Sequence, residues 1–366
     1  MKSLKPFILA SLVLVFTGCS SVNDSSSGNS LVEGDWLIPR GEVVDGGPGQ
    51  DGIPSIDDPQ FSVASNVSYV GETRIVTGIK IGDTIKAYPH QVMDHHEIVN
   101  DAVGDTPYCL TLCPLTGTAI AWERVIDGET VEFGVSGWLF RNNLIPYDRK
   151  TGSRYSQMQM RGINGPESST QLNTIQVIQT TWSTWREMYP DSQVLTTNTG
   201  FSRNYSGYVY GRDYYLDENS GTLFPVQNSD NRLPNKARVH GIIAELPADQ
   251  NAQVKVYQIG LFGEGVHLVS DQVGGEDVIV AGSTNYNFAV SFHALPEDGT
   301  ELNFEPVQDE LPFIMEDQEG NRWDLFGYAV EGPRQGEQLA PTNSYTGYWF
   351  AWADFFPELS IYRWNS

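Results

Sequence analysis

Two matching tryptophan motifs constrain the fold of this chain more than any other feature of its sequence. Trp182, Trp185 and Pro190 recur as Trp349, Trp352 and Pro357, with a constant offset of 167 residues, as from Trp182 to Trp349. Other matches at similar offsets are Gly165-Pro166 with Gly332-Pro333, Gln171-Leu172 with Gln338-Leu339, Val99 to Gly104 with Val269 to Gly274, and Val76 to Ile79 with Val239 to Ile242. The repetition predicts an internal duplication and hence two related lobes.

The predicted fold class is mostly β with a few short helices. Glycine and proline are plentiful, at 36 and 20 residues, which favours short strands joined by turns. Alternating apolar and polar residues around Gly82-Asp83 and Asp127-Gly128 predict hairpins. The two clearest predicted helices are Trp182 to Tyr189 and Trp349 to Phe356, each of which ends before a proline. Further predicted strands are Val254 to Ile259, Asp277 to Ala281 and Asn287 to His293.

The N-terminus is typical of a secreted bacterial lipoprotein. Lys2 and Lys5 precede an apolar run, Phe7 to Phe16, that is too short to span a bilayer. Phe16-Thr-Gly-Cys19 resembles a lipoprotein cleavage box, which makes residues 1–18 a signal peptide and Cys19 the lipidated residue. Ser20 resembles the signal for sorting to the outer membrane. An ordinary secreted protein with a free N-terminal cysteine is the alternative.

The remaining boundaries follow from composition and from the repeat. Residues 19–50 are expected to be the lipidated N-terminus and a flexible linker, because Ser20 to Ser30 is rich in serine, asparagine and glycine. Residues 51–215 form the first predicted lobe, and residues 216–366 form the second as a degenerate repeat. We expect the protein to lie at the periplasmic or outer face of the outer membrane, with the membrane as its partner through the lipid.

The charge of the chain excludes one class of partner. The formal net charge is −24 at pH 7. Nucleic acid is therefore not expected to bind, because phosphate recognition needs clustered lysine and arginine. No protein partner is predicted.

Polar and sulfur-containing side chains are concentrated between Asp94 and Ala119. The stretch holds Cys109, Cys113 and two of the six histidines. His96 to Asn100 and Tyr108 to Leu112 are predicted to pair as a hairpin that places Asn100 opposite Pro107. That register brings His96 within one diagonal step of Cys113. The two cysteines would lie roughly 13 Å apart on one strand, which is too far for a disulfide.

The predicted second lobe lacks this set of side chains. An offset of 170 residues, as from Asp101 to Asp271, matches the hairpin turn in both halves. It also places Ser283 at the position of Cys113, Ile279 at that of Cys109, Val266 at that of His96 and His267 at that of Glu97. Because a requirement of the fold would appear in both copies, we predict that the first lobe carries the functional site.

Several motifs resemble a known family in the same order. They are A-Y-P, H-E-I-V-N-D, C-P-L-T-G-T, F-G-V-S-G and Y-D-R-K-T-G-S. They resemble the bacterial envelope family catalogued as domain of unknown function 3179, from about Asp51 to the C-terminus. The resemblance implies an extracytoplasmic protein and no particular reaction. It also implies C-P-L-C where this chain has Cys113-Pro-Leu-Thr116, so a site with a single cysteine is expected.

Three interpretations of the Cys/His site stay open. In the first, Cys113, His96 and His95 bind a thiophilic metal, copper or zinc, although the spacing matches no established zinc pattern. In the second, Cys113 is the reactive thiol of an envelope enzyme, with His96 as base and Glu97 orienting it. In the third, the cysteine and histidine are buried structural groups of a non-catalytic interaction or scaffold lipoprotein.

Further polar residues are predicted to line the same cleft. Gly200 to Tyr215, rich in tyrosine and arginine, either walls this cleft or packs as a connector. The alternative interpretation of Asp148 and Arg149 is that they form contacts within a turn. Ser136 lacks the surrounding pattern of a hydrolase nucleophile. The complete predicted set is Asn100, Thr116, Thr118, Ser136, Arg141, Asn143, Asp148, Arg149 and Gln157.

Overall fold

Strands, most of them antiparallel, are the main regular structure of the described chain, which is residues 35–244 and 253–364 of the computed structural model. Strands contain 41% of the residues and helices 10%. The predicted fold class, mostly β with a few short helices, is therefore confirmed. The predicted signal peptide and Cys19 lie outside the described residues. The described residues group into one compact unit by their contacts. Within the two described ranges, no helix combines the length and apolarity needed to cross a bilayer.

Three sheets come from the first half of the chain. Sheet I, in spatial order, contains Val177–Thr181, Ile75–Ile81, Thr84–Pro89, Gln193–Leu195 and Phe61–Val63. Sheet II contains Thr174–Ile175, Thr118–Glu123, Thr106–Cys113 and Ile98–Val103. Sheet III contains Val43–Asp45, Phe133–Phe140, Asn143–Asp148, Arg154–Ser156 and Arg161–Asn164. A separate small hairpin pairs Val125–Ile126 with Glu129–Thr130.

Three further sheets come from the second half. Sheet IV contains Ser344–Tyr348, Arg238–Ile243, Val254–Gln258 and Ser360–Ile361. Sheet V contains His267–Val273, Glu276–Ser283 and Phe288–His293, and sheet VI contains Phe304–Pro306, Phe313–Asp317, Arg322–Asp324 and Ala329–Glu331. The α-helices of the described chain are His90–Met93, Trp182–Met188, Arg212–Leu216 and Trp349–Phe355, and the 3₁₀ helices are Arg40–Glu42, Ala64–Asn66 and Ile259–Leu261.

Sheets I and IV share their strand order. In each, a helix with the tryptophan motif follows an edge strand. Each also contains a parallel pair, Thr84–Pro89 with Gln193–Leu195 and Val254–Gln258 with Ser360–Ile361, whereas its other pairs are antiparallel. Sheets II and V share a three-stranded meander. The common order agrees with the predicted repeat; an origin by duplication stays a prediction.

The tryptophan motifs pack in the same way in both halves. A Cβ on Gly78 would lie 1.9 Å from the ring of Trp185, and one on Gly241 would lie 2.4 Å from the ring of Trp352. Each indole therefore lies directly on the backbone of a central strand, which leaves no space for a side chain. The Thr181 hydroxyl accepts a hydrogen bond from Thr184 N and so caps the start of the first of these helices.

The two halves also share a buried lysine–aspartate contact. Asp101 accepts hydrogen bonds from Lys86 Nζ and from the hydroxyl of Tyr88. At matching positions, Asp271 accepts hydrogen bonds from Lys255 Nζ and from the hydroxyl of Tyr257. Because both copies keep it, we assign this contact to folding.

A long connector joins the two halves. Residues 196–237 contain no strand and a single short helix, Arg212–Leu216. The connector supplies Tyr205, Tyr214 and Lys236 to the buried interior. It lies against the hairpin of Ile98–Val103 and Thr106–Cys113, and this placement builds the site described next.

Candidate functional site

The hairpin at the centre of the site pairs in a register two residues from the predicted one. Asn100 lies opposite Cys109, and Val103 lies opposite Thr106. The predicted pairing of Asn100 with Pro107 is therefore wrong. A shift of two residues keeps every side chain on its predicted face, because side chains alternate with a period of two. Cys109 and Cys113 are both free, as expected.

His96 lies apart from the thiol. Its Nδ1 donates to the carbonyl oxygen of Pro54 at 2.8 Å, and its Nε2 accepts from the hydroxyl of Tyr205 at 2.7 Å. Burial lowers the pKa of His96 to about 4, against a smaller opposing effect of the Pro54 carbonyl. Both ring nitrogens are occupied, so the predicted pairing of His96 with Cys113 is not formed, and His96 is a neutral packing group.

The predicted metal ligands are not assembled. His95 packs edge-on against Tyr205, with ring centroids 5.3 Å apart, while Cys113 lies in a different apolar core. No group of three or more His, Cys, Asp or Glu side chains that could hold a metal ion occurs in residues 35–244 and 253–364. The residues Cys113, His96 and His95 therefore do not fit a copper or zinc site in this arrangement.

Cys113 ends its strand at a tight turn. The turn is closed by Gly117 N donating to the carbonyl oxygen of Cys113 at 2.9 Å. Burial raises the pKa of Cys113 to about 11, and the Glu97 carboxylate adds to this; the Thr116 hydroxyl, the Thr116 N–H and the Leu144 N–H act in the opposite direction. The thiol itself donates to the carbonyl oxygen of Asn142 at 3.5 Å.

Cys109 provides an internal comparison. It lies on the same strand and is fully buried, and burial raises its pKa well above the ordinary value. None of the described hydrogen bonds involves its sulfur. Cys109 is thus a small apolar core residue, whereas the Cys113 thiol donates to Asn142 and lies beside polar groups that lower its pKa.

Two buried carboxyl groups accompany Cys113. Burial raises the pKa of Glu97 to about 8, with a further contribution from Asp94. Burial also raises the pKa of Asp94 to about 7, while Arg74 and the Tyr215 hydroxyl act to lower it. The Tyr215 hydroxyl does not reach the ordinary geometry of a hydrogen bond. Glu97 has a positive φ of 59°, an unfavourable backbone conformation for glutamate that is often associated with functional sites.

The second half of the chain adds a lysine to the site. Lys236 Nζ lies over the ring of Tyr214 and donates to the carbonyl oxygen of Tyr214 at 3.2 Å. Burial lowers the pKa of Lys236 to about 7, and Cys113 acts to raise it. Tyr210 interacts electrostatically with Cys113 and with both carboxyl groups. The site therefore combines a thiol, two carboxyls and an amine whose charges are coupled.

Four of the predicted cleft residues form one buried polar network beside Cys113. The Asn143 side-chain amide donates to Gln157 Oε1 at 2.7 Å and to the hydroxyl of Thr116 at 3.0 Å. The hydroxyl of Thr118 donates to the same Gln157 oxygen at 2.7 Å. Asn143, Gln157, Thr116 and Thr118 are thus brought together, and they hold the turn that follows Cys113.

The other predicted cleft residues have separate structural partners. Asn100 exchanges hydrogen bonds with the backbone of Phe133. Ser136 accepts from Trp138 N, and Arg141 binds Glu42 and the carbonyl oxygen of Asp354. Asp148 accepts from Lys150 N and Thr151 N, as a turn residue does, and Arg149 binds Asp51, Asp57 and Glu132. None of these contacts involves Cys113.

Lys236 and Tyr348 were not predicted from the sequence as residues of the site. Both belong to the predicted second lobe. Lys236 is separated from Cys113 by the remainder of the first half and by most of the connector. Tyr348 N donates to the carbonyl oxygen of Thr116 at 2.8 Å, which joins the second half to the turn. The tyrosine-rich segment Gly200 to Tyr215 was the only signal in the sequence for this part of the site. The interpretation that the segment walls the cleft agrees with the positions of Tyr210 and Tyr214.

The chain was compared with known families, curated proteins and solved structures. The model of the family described as protein of unknown function (DUF3179) matches residues 50–359. No curated protein and no solved structure matches the chain. The family match covers well over half of the 366 residues. The chain therefore belongs to the family described as protein of unknown function (DUF3179).

Proposed function

We propose that this protein is a lipid-anchored protein of the bacterial cell envelope whose Cys113 thiol forms a covalent intermediate with an acyl substrate. The observation that carries the proposal is the difference between the two cysteines of one strand. Groups of Thr116 and Leu144 lower the pKa of Cys113 against the effect of burial, and Glu97 and Lys236 interact with it, whereas only charge interactions with Arg124 and Asp57 accompany burial at Cys109. Clustered groups with displaced pKa values are characteristic of functional sites.

The neighbours of Cys113 fit a proton-transfer role. A general base works best when its pKa lies near the working pH, and the pKa of Glu97, raised by burial to about 8, meets this condition. Lys236 supplies positive charge close to the sulfur, which favours the thiolate. His96, the base expected from the sequence, is replaced in this role by Glu97.

The proposed step balances without a further reactant. The thiol of Cys113 gives its proton to the Glu97 carboxylate, and the sulfur forms a bond to a carbonyl carbon of the substrate. The bond from that carbon to the leaving group then breaks, and the leaving group takes the proton from Glu97. Water then attacks the carbonyl carbon of the thioester and gives a proton to Glu97. The bond from that carbon to the sulfur breaks, and Cys113 takes the proton from Glu97.

The thiol prediction is tested by alkylation of the folded protein. With iodoacetamide, we expect Cys113 to be modified several times faster than Cys109, because Cys113 is the last residue of the strand Thr106–Cys113 while Cys109 lies in its middle. Peptide mapping by mass spectrometry gives both rates, and Cys113→Ser and Cys109→Ser are the matched variants. Equal rates, or no modification before unfolding, would refute the proposal.

The lipid anchor rests on the Phe16-Thr-Gly-Cys19 box and the apolar run before it. We expect radiolabelled palmitate to enter the wild-type protein in a Gram-negative host and to be lost completely in Cys19→Ser. Cys109→Ser is the control and should keep the label. Label retained by Cys19→Ser would show that the box is not the modification site.

The asymmetry between the halves supports placing this chemistry in the first of them. Ser283 stands where Cys113 would lie in the second half, and its hydroxyl donates to the carbonyl oxygen of Glu264 at 3.0 Å. We interpret the second half, residues 216–366, as a degenerate repeat that contributes Lys236 and Tyr348 to the site of the first.

A further inference from the structure

A cavity of about 360 Å³ lies on the connector, away from the cysteines. This volume is within the range of small-molecule sites, roughly 300–1,000 Å³. Its side-chain lining consists of three amides, two hydroxyls, one carboxylate, one valine and one aromatic ring, from Thr222, Val226, Asn228, Ser229, Asp230, Asn231, Asn235 and Phe350.

The lining favours a neutral ligand that is rich in hydroxyl groups. It contains no lysine or arginine, so a phosphate has no cationic partner in it. The negative charge of Asp230 is compensated by Arg232 at 2.7 Å, which also leaves little attraction for a cation. The Lys236 amine lies 5.7 Å from the Phe350 ring but is directed to the carbonyl oxygen of Tyr214.

The amide side chains suit hydroxyl groups in particular. A carboxamide offers two donors and an acceptor, so it can bond two neighbouring hydroxyls at once. Ser229 and Asn231 are exposed, and their side chains form no hydrogen bond with any described residue. Phe350 is the aromatic residue of the lining, and only 3% of its surface is exposed.

The loop that carries these groups is fixed in place by the helix Trp349–Phe355. The fully buried Asp354 carboxylate accepts from Asn228 N at 2.9 Å and from Gln227 N at 3.2 Å. Trp349 Nε1 donates to the carbonyl oxygen of Asp230 at 3.0 Å. A loop held in this way needs little ordering when a ligand binds.

The matching helix of the first half holds no such loop. Glu187 stands at the position of Asp354, with the same offset of 167 residues as Trp182 to Trp349, and it is exposed to solvent. The buried carboxylate and the loop thus occur in one copy only, so they are not a general requirement of the scaffold.

We propose that this cavity binds a neutral saccharide by amide hydrogen bonds from Asn231 and Asn235. The proposal goes beyond the thiol chemistry, because the lining contains none of the residues of that site. The source of the sugar is either a free oligosaccharide or the glycan of the envelope, and the chemistry recognised is the same.

Binding is tested with the full-length protein in a zwitterionic detergent that carries no sugar. Titration calorimetry with N,N′-diacetylchitobiose and with cellobiose should show binding of at least one of them. Asn231→Ala and Asn235→Ala should each weaken that binding about threefold to tenfold, the effect of losing one hydrogen bond. Asn198→Ala, an exposed amide on the connector outside the cavity, should leave it unchanged.

A second arm separates the two sources. Sedimentation of the protein with insoluble peptidoglycan, lost in the same two variants, would identify an envelope glycan; disaccharide binding without sedimentation would identify a free saccharide. Binding of neither, or binding equal in all variants, would overturn the proposal. The rate of Cys113 alkylation should be unaltered in both variants, so this result and the thiol result are independent.

Discussion

Replacement of Asp101 by alanine is expected to lower the free energy of unfolding by about 3–5 kcal/mol, the cost of leaving a buried charge without its partner. Asp101 accepts two hydrogen bonds from Lys86 Nζ, at 2.8 and 3.0 Å, and others from the hydroxyls of Tyr88 and Tyr108. The side chains of Lys86 and Asp101 are only 7% and 8% exposed. Without the carboxylate, the Lys86 ammonium and both hydroxyls lose their shared acceptor.

The second half supplies the matched control. Asp271 makes the corresponding contacts with Lys255 and Tyr257, but the Lys255 and Asp271 side chains are 23% and 16% exposed. Water can therefore replace part of the hydrogen bonding that Asp271→Ala removes. We expect this variant to lower the free energy of unfolding by roughly 1–2 kcal/mol. Urea denaturation of both variants gives the comparison. Equal losses would show that burial does not set the cost.

Local patterns predicted the fold class and its main elements. The hairpin around Gly82-Asp83, the two tryptophan helices and the later strands follow from alternation of apolar residues and from nearby prolines. These signals act within a few residues, so they can be read from the chain. The register of the central hairpin could not be read from the chain, because a shift of two residues leaves the apolar pattern unchanged.

The error in that hairpin has a local cause. The short helix His90–Met93 and the positive φ of Glu97 delay the strand until Ile98, two residues after its predicted start. A left-handed glutamate is unfavourable in isolation and is imposed by the surrounding structure. Nothing in the sequence near Glu97 indicates it.

The partners of the site residues were the least predictable part. His96 was paired with Cys113 because the two are close in sequence, yet its nitrogens are taken by Pro54 and by Tyr205, which is 109 residues away. Lys236 comes from the connector and carries no motif. The difference between the two halves nevertheless indicated the strand on which the proposed site lies, because it shows only which side chains one copy lacks.

The charges around Cys113 lead to the second large effect. The Glu97 carboxylate raises the pKa of Cys113, so Glu97→Gln should increase the thiolate fraction. This change should appear only above about pH 8, because burial raises the pKa of Glu97 to about 8 and the group is neutral below it. The Lys236 ammonium favours the thiolate, so Lys236→Met should decrease it. That change should appear only below about pH 7, since burial lowers the pKa of Lys236 to about 7.

The most direct measurement is the rate of Cys113 alkylation by iodoacetamide from pH 6 to 11, in a Cys109→Ser background. Relative to this background, Glu97→Gln should react roughly threefold to tenfold faster above pH 8 and equally fast below pH 7. Lys236→Met should react more slowly below pH 7 and equally fast above pH 9. Rates that change in the same direction in both variants, or in neither, would contradict a site in which thiol, carboxyl and amine act together.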